Sequence, residues 1–304
     1  EIDVKFVPAG EKDSWSAKYK VGEEVNTWYT PDGFTFGSEE LSGIWVGKFE
    51  TSSSNPDANY GGGNTTTLDA FIKPNMVSWR GINVSNAFNV SLKMNDAGNR
   101  YGFSDSTDTH MMKNSEWGIV TYLSQSKYGK LGNTNFTGVN KEIYQNKSDA
   151  FMTGCSCGAP YDDSNNYGCH YQYNTDINGT GASTTGNIYG IYDMNGSSFE
   201  LVMANYNDII ANSGFTSMPD IKYYDKYIST DINTACNGNT CISHGLSETY
   251  GWYNGNSRMI SETEPWLLRG SAFSSNSSIF FFYGSDVFGG DAAYDTFRLV
   301  ASIH

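Results

Sequence analysis

The sequence is short of charge, of histidine and of long apolar runs. Only 17% of its 304 residues are charged, and 19 basic side chains stand against 33 acidic ones. Binding phosphates needs a basic stripe, so nucleic acid is not an expected partner, and anionic membrane surfaces are disfavoured for the same reason. No run of about 18 apolar residues occurs, which predicts no direct membrane insertion. The opening Glu1-Ile-Asp-Val-Lys5 lacks the basic start and apolar stretch of a secretion signal, as in a trimmed chain.

Catalytic signatures are missing as well. There is no Gly-x-Ser-x-Gly elbow, no His-Glu-x-x-His zinc helix, no phosphate loop and no dinucleotide fingerprint. The four histidines, His110, His170, His244 and His304, lie far apart in sequence. Triads need not be sequential, but each lone histidine reads first as a surface or packed residue. One fragment, Asn174-Thr-Asp-Ile-Asn-Gly179, has the opening spacing of a calcium loop. Its twelfth position is Thr185 rather than the bidentate glutamate, so it reads as an Asn/Gly turn. No cofactor is expected, with a structural calcium in an acidic loop as the one candidate.

What the chain does have is neutral polarity and aromatic rings: 33 Gly, about 30 Asn, and 15% Phe, Trp and Tyr. Asn, Ser and Thr hydrogen-bond locally to the backbone and favour turns over helix interiors, which predicts a loop-rich α+β protein of short antiparallel strands and few helices. The rings supply ample core for a chain of this length. Five cysteines, Cys155, Cys157, Cys169, Cys236 and Cys241, contain no Cys-x-x-Cys pair. Cys236 and Cys241 flank a short Asn/Gly turn that can bring their sulfurs together, and Cys169 can pair with Cys155 or Cys157. Two local staples and one spare thiol suit an extracellular or cell-surface protein.

Residues 1–40, with Trp15, Trp28 and the turn Pro31-Asp-Gly33, read as an ordered strand-and-turn entry segment packed on a main domain of residues 41–304. Apolar alternation over Ile44–Glu50 predicts a half-buried strand, and the Ser/Asn/Gly-rich stretch Thr51–Thr67 an exposed, mobile loop. A helix is expected over Asn86–Asn95, capped by Ser85, and a second from Asn114 to about Gly129, with Asn114 as N-cap and Trp117, Val120 and Leu123 on its apolar face. From Gly132 onward, short apolar patches between Asn/Gly/Ser clusters predict strands and long loops.

Several motifs, taken in order, resemble the formylglycine-generating (sulfatase-modifying factor) branch of the C-type lectin fold. Ile44-Trp-Val-Gly-Lys-Phe-Glu-Thr51 is similar to that family's opening strand. Gly190-Ile-Tyr-Asp-Met-Asn-Gly-Ser-Ser-Phe-Glu200 resembles its central signature, with Ser197, Ser198 and Phe199 replacing asparagine, valine and tryptophan. Leu268-Arg-Gly-Ser271 and Phe297-Arg-Leu-Val300 resemble its closing motifs, with Thr296 where glycine is usual. The oxidase members use a cysteine pair between those last two motifs, and here no cysteine follows Cys241. The resemblance therefore implies the scaffold and not the oxidation, since a shared fold does not carry a shared activity.

A second branch is closer. Trp266-Leu-Leu-Arg-Gly-Ser-Ala-Phe273, Gly289-Gly-Asp-Ala-Ala-Tyr-Asp-Thr296 and Phe297-Arg-Leu-Val-Ala-Ser302 resemble the variable region of diversity-generating retroelement target proteins. Met76-Val-Ser-Trp-Arg80 and Thr109-His-Met-Met-Lys-Asn-Ser-Glu-Trp117 resemble surface-protein and phage-tail members from gut bacteria. In that family, adenine misreading of asparagine codons leaves residues whose codons end in a pyrimidine, which excludes Lys, Glu, Gln, Met and Trp. None of these five occurs between Ser271 and Thr296. They make up about 15% of the chain, so composition alone gives such a gap a chance of roughly 1 to 2%.

Phe273, Phe280, Phe281, Phe282, Tyr283, Phe288 and Tyr294 crowd this window, and strand alternation sends neighbouring rings to opposite faces. Read bottom-up, such a cluster is core; with the resemblance, part of it becomes a binding face in which rigid rings give contact area and small polar groups adapt. The expected ligand contacts are Phe273, Ser275, Ser278, Phe281, Tyr283, Asp286, Phe288, Asp291, Ala293 and Asp295, with Arg269 and Arg298 as scaffold. The resemblance implies a non-enzymatic adhesin or receptor-binding protein recognising a protein or glycan on another surface. A formylglycine-generating-like enzyme, or a pilus or tail subunit without a recognition role, are the alternatives.

Overall fold

The computed structural model describes residues 31–55, 59–231, 241, 244–246, 259–275 and 288–303. Thirteen strands and three α-helices occur among them. The strands are β1 (Thr35–Phe36), β2 (Glu39–Glu40), β3 (Trp45–Val46), β4 (Ser52–Ser53), β5 (Ala70–Phe71), β6 (Thr107–Met111), β7 (Cys155–Ser156), β8 (Tyr171–Gln172), β9 (Phe199–Tyr206), β10 (Asp225–Tyr227), β11 (Trp266–Arg269), β12 (Asp295–Phe297) and β13 (Leu299–Ile303). The helices are α1 (Val84–Lys93), α2 (Asn114–Ser124) and α3 (Ile177–Thr180). Most strands are two to five residues long, as a chain rich in turn-forming side chains dictates. The architecture is mixed α+β with few helices and several small sheets, mostly antiparallel in pairing.

β9 is the spine. Its central residues Glu200–Asn205 are all buried, and side chains alternate between two cores as the strand pleat requires. Leu201 and Met203 join Trp79, Phe88, Trp266, Leu268 and Phe297 on the side covered by α1. Val202 and Ala204 join Trp117, Val120, Leu267 and Val300 on the side covered by α2. β11 runs antiparallel along one edge of β9, while β12 and β10 share the other edge, parallel to it, beside residues 199–201 and 204–206. At Arg298 the chain leaves this sheet, and β13 inserts between β3 and β6 in a second one. β12 and β13 therefore join the two sheets.

The helices stand close to where periodicity put them, with different caps. α1 starts earlier than expected because Asn83 rather than Ser85 caps it, its Oδ1 accepting the Asn86 N–H at 2.8 Å. Asn114 is the first residue of α2 and not its cap. Its side chain instead donates to Tyr227 Oη and the His244 carbonyl and accepts from Arg269 Nε at 2.6 Å. The free N–H groups of this helix start find carboxylates: Glu116 accepts from Lys113 N at 2.8 Å, and Asp225 from Ser115 N at 2.6 Å. An interior network with better geometry has displaced the local cap.

Two local expectations, one for the loop Thr51–Thr67 and one for the strand Ile44–Glu50, hold only in part, since Ser54, Asn55, Asn64 and Thr67 are exposed but the start of the loop is not. Thr51, Ser52 and Ser53 are fully buried, with β4 paired to β5 and the Thr51 backbone bonded to Phe297 and Trp79. The ladder satisfies their main-chain groups, and Ser53 Oγ donates to the Gly61 carbonyl, while the Thr51 and Ser52 hydroxyls are buried without a partner, a small cost next to that of a larger polar group. The Ile44–Glu50 strand shrinks to Trp45–Val46, where Trp45 points outward, while Phe49 and Glu50 are buried beyond it. The Asn174–Gly179 fragment forms the cap of α3, with Asp176 Oδ1 accepting the Asn178 N–H at 2.8 Å. Cys155 pairs with Cys169, Cys157 is a free thiol, and Cys241 is disulfide-bonded; the Cys236 expectation lies outside the described residues. Of the entry segment, residues 31–40 form a 3-10 turn and the β1–β2 hairpin, and Gly33 lies so close to α2 that an added Cβ would stand 2.6 Å from the Ser115 carbonyl oxygen.

Candidate functional site: an aromatic cleft over Arg80

The motif residues meet in one buried polar network. Arg298 donates to Glu200, to the Tyr192 carbonyl at 2.9 Å and to the Gly47 carbonyl at 2.7 Å, and Trp117 Nε1 completes Glu200 at 2.8 Å. Asp193, in the central motif, accepts from Asn146 Nδ2 and from the Gly154 N–H, both at 2.9 Å. Glu50 accepts from Ser78 Oγ and from the Ser198 N–H at 3.1 Å. Burial, reinforced by the neighbouring Asp193 and Glu200, raises the Glu50 pKa well above the usual carboxylate range. Burial likewise lifts Asp193 to about 6 against the opposing charge of Arg298. This network is closed to solvent and reads as framework. Arg269 plays the same part, bonding Asn114 and the His244 and Gly245 carbonyls.

The network fixes what lies above it. Ser78 bonds the Phe151 carbonyl through its N–H at 2.9 Å and its hydroxyl at 3.2 Å. Phe151 is thereby held at φ 54°, and Tyr60 sits at φ 62°, a left-handed conformation costing roughly 1 kcal/mol or more for a bulky side chain. Both rings lie against one group. The Arg80 guanidinium carbon is 3.4 Å from the Phe151 ring centre and 5.5 Å from that of Tyr60. Arg80 Nη1 donates to the Ala293 carbonyl. The residue is only 7% exposed, and its Nε–H is buried without an acceptor. Burial lowers its pKa from the ordinary arginine value, against the pull of Glu50.

An open cleft of about 480 Å³ lies over this guanidinium, lined by Tyr60, Arg80, Phe151, Ala293 and Tyr294. That volume is in the range that takes a small ligand or one large side chain. Phe273 extends the aromatic wall, with its ring centre 4.9 Å from Phe151 and 5.4 Å from Tyr167. Of the expected contacts, Ala293 therefore lines the cleft, Phe273 packs against the Phe151 and Tyr294 rings of its wall, and Ser275 is half-buried, its carbonyl accepting from Gln145 Nε2 at 2.9 Å. Phe288, 46% exposed, and Asp291 are at the surface. Asp295 is not: it lies in β12, buried, and burial raises its pKa to about 7. Its strand pairs with β9 at Phe199, and in this position the expected contact is closed to solvent. Ser278, Phe281, Tyr283 and Asp286 lie outside the described residues.

No protein-family model and no curated protein sequence matches the chain. The site is therefore read from its own chemistry. Among the described residues no three His, Cys, Asp or Glu side chains form a group able to hold a metal. No helix there is long and apolar enough to cross a membrane. His110 is fully buried between Asp108 and Glu116, each 2.9 Å away; burial would lower its pKa, but Glu116 and Asp108 together raise it to about 9. It stacks on Phe36 of β1 at 4.9 Å and ties β6 to the first turn of α2 through Glu116.

Sequence reasoning missed Tyr60, Arg80, Phe151 and Tyr167. Arg80 was visible only as the end of the Met76–Arg80 block. Nothing in the residues around Phe151 announces a left-handed phenylalanine.

Proposed function

We propose that this chain is a non-enzymatic ligand-binding protein on a C-type lectin scaffold, whose segment 271–295 is a retroelement-diversified recognition surface for a protein or glycan partner. The observation that carries this reading is how the described parts of the segment are held. The Phe273 N–H bonds the Ser197 carbonyl, and the carbonyls of Phe288, Gly289, Ala292 and Tyr294 accept from Asn212, Val84, Gly81 and Phe199, all main chain to main chain. Such bonds do not read side chains, so the backbone path survives substitution. Tyr294 and Phe288, about half exposed, are then free to vary in identity without loss of the fold. Ala293 and Tyr294 in the cleft wall, with Phe273 packed against Phe151 and Tyr294, put changing side chains beside Tyr60, Arg80 and Phe151, a division of labour suited to a binding surface.

Exchanging residues 271–295 between natural variants, with the rest of the chain constant, should transfer ligand choice in a glycan-array or cell-binding assay. Unchanged ligand choice after exchange would refute the reading. In the genome, a near-copy of the coding segment differing only at adenines is the expected companion.

A further inference from the structure

We propose that the cleft over Arg80 is a carboxylate-binding subsite, in which a fixed guanidinium receives the anionic group of a ring-bearing ligand. This rests on the ligand-binding reading above and names the chemistry the surface recognises.

A guanidinium carries five N–H donors in a planar fork suited to carboxylates. In Arg80 the Ala293 carbonyl is the one acceptor among the described residues, and the Nε–H is buried without any. No described carboxylate lies within 4 Å of it as an ion-pair partner, in contrast to the fully buried Arg298, whose Nε–H also lacks an acceptor but whose charge Glu200 neutralises. A buried cation with no direct ion-pair partner and with N–H donors left unbonded is costly, and it persists where the surroundings over-determine it. Phe151 and Tyr60, each held at positive φ, keep the guanidinium at the base of an open cleft. An incoming carboxylate gains charge-assisted hydrogen bonds that the protein does not supply.

The walls decide what carries the anion. Phe151 and Tyr294, with ring centres 5.9 Å apart, and Tyr60 present aromatic surface beside the charge, so a flat ring bearing a carboxylate fits better than a bare inorganic ion. Arg80 lies outside segment 271–295, so the diversification proposed above leaves it in place as an anchor around which Ala293 and Tyr294 tune access.

The test uses the whole chain and benzoate, with benzamide as its neutral counterpart, in ligand-observed NMR titrations. Benzoate should bind at least about tenfold more tightly than benzamide, and Arg80→Gln should remove that preference. Ala293→Trp, which keeps the charge but fills the cleft, should abolish binding of both, and circular dichroism on each variant checks the fold. Equal binding of benzamide, benzoate binding unchanged in Arg80→Gln, or inorganic phosphate competing as strongly as benzoate would each overturn the proposal. Glucuronate against glucose and N-acetylphenylalanine against its amide tell a sugar carboxylate from a peptide carboxy-terminus. Because segment 271–295 is unchanged in these titrations, failure here leaves the exchange experiment standing.

Discussion

Replacing Asp295 by asparagine should stabilise the protein above neutral pH and do little below pH 4. The carboxyl is buried in β12, and burial raises its pKa from 3.8 to about 7. Below the unfolded value both states carry the proton and pH has no leverage. As pH rises through the interval, the unfolded chain releases its proton first, so native stability falls until the folded value is passed. The gap of about 3 pH units, at about 1.4 kcal/mol each, sets an upper cost of about 4 kcal/mol at alkaline pH. Asparagine has nearly the same shape and no proton to lose, and the strand pairing with Phe199 is main chain only. Urea unfolding of both proteins at several pH values measures the difference. Since Glu50, Asp193 and His110 titrate alike in both, their contributions cancel and the difference should climb between about pH 4 and pH 7. A difference that stays flat across that interval refutes the burial argument, and altered ligand binding in the variant would return Asp295 to the surface.

Two further outcomes follow from the buried charges. Arg298→Met leaves Glu200 buried without its cation and should cost about 3–5 kcal/mol in denaturant unfolding; a loss under about 1 kcal/mol would mean the pair is not a framework element. For His110 the sign is opposite to that of Asp295. With its pKa raised from 6.5 to about 9, its stabilisation is complete below the unfolded value and lost as pH climbs through the folded one, so the advantage of the native chain over His110→Gln, about 3 kcal/mol near pH 6, should fade towards pH 10.

Local signals in the sequence were legible where a residue's neighbours decide its fate. Trp117 and Val120 are buried at helical spacing in α2, and the loop-rich style follows from composition. Long-range partners were not. The cap of α2 moved because Asn114 found Tyr227 and Arg269, and Thr51–Ser53 went inside because Phe297 and Trp79 supply backbone partners from distant positions. Segment 271–295 stands out in the sequence by its missing residue types, but three of the five residues lining the cleft, Tyr60, Arg80 and Phe151, lie outside it. Those side chains are brought together by hydrogen bonds between the Trp79–Gly81 turn and residues 292–296, and such closure leaves no trace in local pattern.

The insertion of β12 and β13 late in the chain order has a consequence for biosynthesis. β12 pairs with β9, and β13 fills the slot between β3 and β6, so neither sheet is complete while the ribosome still holds these residues. Residues 271–294 are synthesised immediately before them, so both sheets close only after that stretch has been made. A substitution there that misdirects the closing strands leaves both sheets open and the chain exposed to proteases.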